Sequence, residues 1–151
     1  MSIRYFALVY GIVFIVIGLA GFVPAFLAPY GPQHPDLAIE TGAGLLFGLF
    51  PVNILHNLVH MAFGIWGVSV WRSPLRSRGY ARAVAIIYGL FVVLGLIPVL
   101  RTFFGLVPLH GHDIWLHLVL AGVAAYFGWM ARPEHPSEPD VTGTPPERPG
   151  H

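Results

Sequence analysis

FPVNILHNLVHMAFGIWGVSVW, residues 50–71, decides the fold. It has no acidic or basic side chain and is apolar over about the 20 residues that a bilayer-spanning helix needs. Three further segments read the same way, so spanning helices are expected over about residues 5–27, 52–71, 82–100 and 113–131. The interruptions in the quoted segment are histidines and asparagines, which are costly in hydrocarbon unless turned inward.

Composition points the same way. The 151-residue chain is 56% hydrophobic and 10% charged, with a mean hydropathy of +0.70, whereas a soluble domain carries about a quarter charged residues. The absence of cysteine excludes disulfides, thiolate ligands and thiol redox chemistry. A net charge of +1 argues against a nucleic-acid partner. The first apolar segment is too long for a signal-peptide core and has no A-x-A site before Pro29, so it is expected to be retained.

All eight cationic side chains are arginine. Arg4, the cluster Arg72, Arg76, Arg78 and Arg82, and the distal Arg132 and Arg148 share one side, and Arg101 alone lies on the other. The positive-inside rule then places both termini in the cytoplasm of a bacterial inner-membrane protein. The loop from Ala28 to Phe50, with His34, Asp36 and Glu40, faces outward. Residues 133–151, with six prolines and no aliphatic run, are expected to form a disordered cytoplasmic tail beside a membrane domain over 1–132. Trp66, Trp71, Trp115 and Trp129, with Tyr5, Tyr30 and Tyr80, fall near helix ends, where an aromatic belt anchors a bundle.

The two halves resemble each other. Ala7-Leu-Val-Tyr-Gly11 matches Ala85-Ile-Ile-Tyr-Gly89, and Phe47-Gly-Leu-x-Pro51 matches Phe104-Gly-Leu-x-Pro108. In the second register His60 aligns with His117, His56 with Asp113 and Asn53 with His110. Two parallel helical hairpins related by an axis along the membrane normal would give this pattern. Such an axis brings helices two and four together. Their inward stripes run from polar residues at the outer end to Gly64, Gly67, Ala121, Ala124 and Gly128 at the inner end, so tight packing of these two helices is expected there.

His56 and His60 are four residues apart, as are Asp113 and His117, so each pair projects from one helical face. Imidazole and carboxylate suit zinc, copper or iron, and His56, His60, Asp113 and His117 supply the four ligands of a tetrahedral site. Asn53, Asn57 and His110 are candidates to hydrogen-bond the ligating rings from outside, and His110 with His112 could extend the site toward its mouth. Haem b, held between His60 and His117, is a second possibility. The same residues can also join helices by hydrogen bonds alone or line a proton path.

The run Asn53-x2-His56-Asn57-x2-His60-x3-Gly64, with the Asp113 to His117 element, resembles a bacterial family of small four-helix membrane proteins catalogued as a domain of unknown function. The resemblance covers about Tyr5 to Arg132 and implies topology and site, but no activity. The expectation is therefore an all-α polytopic membrane protein of four helices in two repeated hairpins, without enzymatic activity. In the principal reading its histidine cluster organises the bundle, as a homo-oligomer or a subunit of a larger membrane complex. Metal or haem binding and ion passage are the alternatives.

Overall fold

A computed structural model describes residues 1–32 and 34–131, and the tail expected over 133–151 lies outside the described residues. Four helices make up most of it: α1 (Ile3–Ala20), α2 (Ile54–Val70), α3 (Pro74–Leu96) and α4 (His112–Ala125), the last continued by a π-helical turn over Tyr126–Met130. α1, α3 and the continuous segment His112–Met130 are long and apolar enough to cross a bilayer, while α2 has 17 residues. Their outward faces carry exposed Val9, Val16, Ile86, Leu90, Val93, Leu118 and Val119, a continuous apolar surface suited to acyl chains rather than water. The protein is an all-α polytopic membrane protein.

Local chemistry sets the helix ends. Ser2 caps α1, Asn53 caps α2 and Ser73 caps α3, each side chain accepting from the backbone N–H three residues on. Pro74 begins α3, where its missing N–H costs nothing, so this helix starts a full two turns before the apolar run that advertises it. α1 stops at Ala20 rather than near Leu27 because the chain turns at Gly21 and enters a short 3-10 turn at Pro24–Phe26. The segment that follows forms part of a small antiparallel sheet, in the order β1 (Leu27–Ala28), β2 (Gly44–Leu46) and β3 (Phe50–Val52), which roofs the end of the bundle where α2 and α4 begin.

α1 packs most extensively on α2, and α3 on α4. The two repeated motifs adopt the same left-handed backbone, with φ of 53° and 72° at Phe47 and Gly48 and of 60° and 82° at Phe104 and Gly105. The helix pairing corrects one expectation. The small residues of α2 face α1, not α4: a Cβ on Gly64 would lie 2.8 Å from the Gly11 carbonyl oxygen, and one on Gly67 would lie 2.8 Å from that of Ala7. Gly128 instead packs on Arg82 of α3. Close approach of backbones gives membrane helices their van der Waals attraction, and each glycine serves the hairpin it belongs to.

The half of the bundle away from the sheet is filled by Phe6, Tyr80, Val84, Ala124 and Phe127, all buried. Tyr80 is thus a core residue rather than an interfacial anchor, its ring 5.3 Å from that of Trp66. At the inner rim, Arg82 Nε donates to the Gly128 carbonyl at 2.9 Å and Arg78 Nη2 to that of Ala131 at 2.9 Å. The guanidinium groups therefore satisfy carbonyls that the end of α4 leaves open and oppose its dipole.

Asn53 ties the outer end together. Its Oδ1 accepts from the His56 N–H, and its Nδ2 donates to the carbonyls of Ile39 at 3.0 Å and Leu106 at 2.7 Å. One side chain thereby caps α2 and holds an outer loop from each half. Losing a cap costs about 1 kcal/mol, and each of the two part-buried hydrogen bonds contributes about as much again. Asn53→Ala is expected to lower unfolding stability by about 3 kcal/mol. Asn53→Ser, which keeps an oxygen at the cap and loses the Nδ2 bonds, should lie between, as read from thermal midpoints in detergent.

Candidate metal centre

The first turns of α2 and α4 supply the site. With the Asn53 cap fixing where α2 begins, His56 and His60 fall on its inner face one turn apart. α4 begins at His112, so Asp113 lies in its first turn, where free backbone N–H groups favour negative charge, and His117 follows one turn on. All four side chains are buried, with exposures of 2–6%. They sit inside the bundle, where lipid does not reach them.

One ring nitrogen from each of His56, His60 and His117 lies within 4.8 Å of the other two. Asp113 Oδ2 is 3.8 Å from His56 Nε2 and 3.8 Å from His117 Nε2. α2 and α4 are not close backbone neighbours, so these side chains reach across the bundle to meet. At 3.8 Å none of the pairs is a hydrogen bond. The Nδ1 atoms of His56, His60 and His117, and Asp113 Oδ2, are buried without a hydrogen-bond partner among the described residues. Each such buried group costs about 1 to 3 kcal/mol unless a water or an ion reaches it.

Aromatic rings wall the cluster. Phe14 of α1 stacks on His60 at 5.6 Å, and Tyr88 of α3 meets His117 edge-on at 5.0 Å. Phe91 stands 5.6 Å from His117. Sequence reasoning missed these walls. Their signal is the spacing of aromatics on α1 and α3, which reads equally as ordinary core. The walls decide between cofactors. Haem between His60 and His117 needs an open slab there, yet the His56 ring lies 4.7 Å from His60 and 6.1 Å from His117. The residues present do not fit a porphyrin. They do fit a single ion, since three nitrogens and a carboxylate oxygen converge from two helices.

The other site candidates are placed elsewhere. Asn53 is committed to the cap and the loops. The Asn57 side chain, fully buried, lies against Gly21 at the end of α1, and its amide has no hydrogen-bond partner among the described residues. His110 joins His34 of the first-half loop, Nε2 to Nε2 at 2.9 Å, and the His34 ring stacks on Tyr30 at 3.4 Å. His112 accepts from the Trp115 indole N–H at 3.0 Å. The His34–His110 pair joins residues 76 positions apart, and nothing in local spacing announces it.

Burial, then the neighbouring His34 and Arg101, push the His110 imidazole down to about 4. Burial lowers His34 as well. Unfolded, both rings titrate near about 6.5. Between these values the unfolded chain binds more protons than the folded one, so lowering the pH favours unfolding. The loop-to-loop bond thus contributes fully above about pH 6.5 and loses its contribution as the pH falls toward about 4. His110→Gln should flatten that part of the pH dependence of the thermal midpoint. A slope identical to that of the parent protein would exclude this pair as its source.

A family model described as a domain of unknown function, DUF4383, matches residues 4–130. No curated protein and no solved structure matches the chain.

Proposed function

The chain belongs to the DUF4383 family, whose description assigns no activity, and from the geometry of the site we propose that it holds one divalent transition-metal ion inside the membrane. His56, His60, His117 and Asp113 are the ligands. The convergence of three buried imidazole nitrogens within 4.8 Å of one another carries this reading. Zinc fits best, because it accepts four-coordinate nitrogen and oxygen sites without a preference imposed by d-electrons. Once bound, such an ion supplies positive charge and ligand affinity in a low-dielectric interior, where few other groups can.

The same residues give the ion a structural part. α2 and α4 belong to different hairpins, and an ion ligated from both clamps one hairpin to the other. The histidine cluster thereby organises the bundle through coordination rather than hydrogen bonds, and no catalytic step is assigned to it. The clustering of Arg4 and Arg72 around Trp71, and of Arg78 and Arg82 at the end of α4, puts the basic rim at one end. The positive-inside rule makes that rim cytoplasmic and turns the metal end outward, in a cell membrane with both termini inside.

Elemental analysis of the protein purified in detergent without added metal tests the reading. About one zinc, copper or iron per chain is expected. Metal content indistinguishable from a matched blank, even after incubation with zinc, would overturn it.

A further inference from the structure

Two cavities flank the cluster, and they differ. The smaller, about 90 Å³, lies on the α3 side beside Tyr88 and His117. The larger, about 190 Å³, lies between α1, α4 and the roofing sheet, and His56, His60 and Asp113 form its polar end. Apart from those three, its walls are apolar, with the aromatic side chains Phe14, Phe47 and Phe50 among them and Val13, Leu116 and Leu120 lining the α1 and α4 sides.

α1 and α4 are not close backbone neighbours. Val13 of α1, at the cavity wall, is 45% exposed on the apolar surface of the bundle. The larger cavity therefore borders that surface as well as the β2–β3 turn at Phe47. An apolar cavity of about 150 Å³ is large enough to take a benzene ring, and ligand sites typically combine apolar walls with a few convergent polar groups. Aromatic walls favour a flat ring, which gains offset or edge contacts with them. No arginine or second carboxylate lines the cavity, so a charged ligand would have no partner there.

We propose that this cavity binds an uncharged single-ring molecule bearing one oxygen, of the phenol class, taken from the lipid phase with its oxygen turned toward His56, His60 and Asp113. The proposal rests on the metal reading for the group that meets the oxygen, an ion held by the cluster that would expand from four to five ligands to take it. Ring-sized apolar walls are a property of the cavity itself.

The test uses the full chain in lipid nanodiscs, with a phenol carrying a small diazirine as photoprobe and unmodified phenol as competitor. Labelled residues are mapped by mass spectrometry, and metal is measured on the same samples. Expected is labelling around residues 13–17 and 116–120 that phenol competes away. Leu120→Trp, which fills the cavity, should reduce it about tenfold, and Leu118→Trp, on the lipid-facing side, should leave it unchanged. Val13→Phe provides a second filling variant if Leu120→Trp does not fold. Labelling that phenol fails to compete, or that persists in the folded filling variants, overturns the proposal. Competed labelling without metal sustains the cavity and removes the ion as its partner. Metal without competed labelling does the reverse.

Discussion

His117→Ala is expected to reduce zinc affinity by more than about 100-fold, since loss of a group that merely supports a ligand already costs about 10- to 100-fold. The variant removes one of the three imidazoles and cuts the only histidine that α4 gives the cluster. Binding that favours the folded state adds stability in proportion to RT ln(1 + [L]/Kd), about 2.7 kcal/mol at a ligand concentration of 100 Kd. Added zinc should therefore raise the thermal midpoint of the parent protein by several degrees and leave His117→Ala nearly unmoved. Asp113→Asn should fall between, because the amide keeps an oxygen in place but loses the charge.

The same experiment separates coordination from simple polar packing. If the cluster only joined helices by hydrogen bonds, His117→Ala would lower the midpoint with or without zinc, and the parent would not respond to the ion. The geometry favours the first outcome. Its Asp113–histidine separations of 3.8 Å are too long for hydrogen bonds, yet two ligands on one ion stand at comparable separations, each about 2.0 to 2.2 Å from it.

The site was more legible in the sequence than its surroundings. Intervals of four residues put His56 with His60, and Asp113 with His117, on single helical faces, and the cost of polar groups in hydrocarbon turned those faces inward. Both arguments are local, and the structure brings the four side chains together. Choice of partner is not local. Periodicity told which face Gly64 and Gly67 occupy but not which helix covers it, and the partner is α1 rather than α4. Asn53 looked like a companion to the imidazoles because it shares their face. Its position just before the helix makes capping its stronger use, and the carbonyls it also reaches, Ile39 and Leu106, lie 14 and 53 residues away. The short sheet escaped notice for a similar reason. Leu27–Ala28 and Gly44–Leu46 are apolar enough to pass for helix ends or linkers, and only their pairing makes them strands. Haem was admissible from His60 and His117 alone; the rings of His56, Tyr88 and Phe91 that fill its space come from α2 and α3.

Gly64→Val should be strongly damaging although it lies outside the ligands. A Cβ there would stand 2.7 Å from the Ile15 backbone nitrogen and 2.8 Å from the Gly11 carbonyl oxygen, and α1 presents the reciprocal crowding at Gly11, 2.8 Å from the Gly64 carbonyl oxygen. Backbone cannot rotate away as a side chain can, so the helices must separate along their whole contact. Overpacking costs about 1 to 3 kcal/mol where side chains can adjust; with backbone on both sides, about 3 kcal/mol or more is expected. Gly89→Ala is the control. Among the described residues nothing lies within 4 Å of a Cβ at Gly89, which is half-buried, and replacing a helical glycine by alanine where the space is open gains roughly 0.5 to 1 kcal/mol. Equal effects from the two substitutions would mean that α1 and α2 do not meet at Gly64. The loss should also reach the ion. His60 is one helical turn from Gly64, so a displacement of α2 that relieves the clash carries the imidazole with it, and a ligand set shifted by about 1 Å no longer converges within metal-bonding distance. Gly64→Val should therefore lower zinc affinity although it touches no ligand, whereas Gly89→Ala should leave it intact.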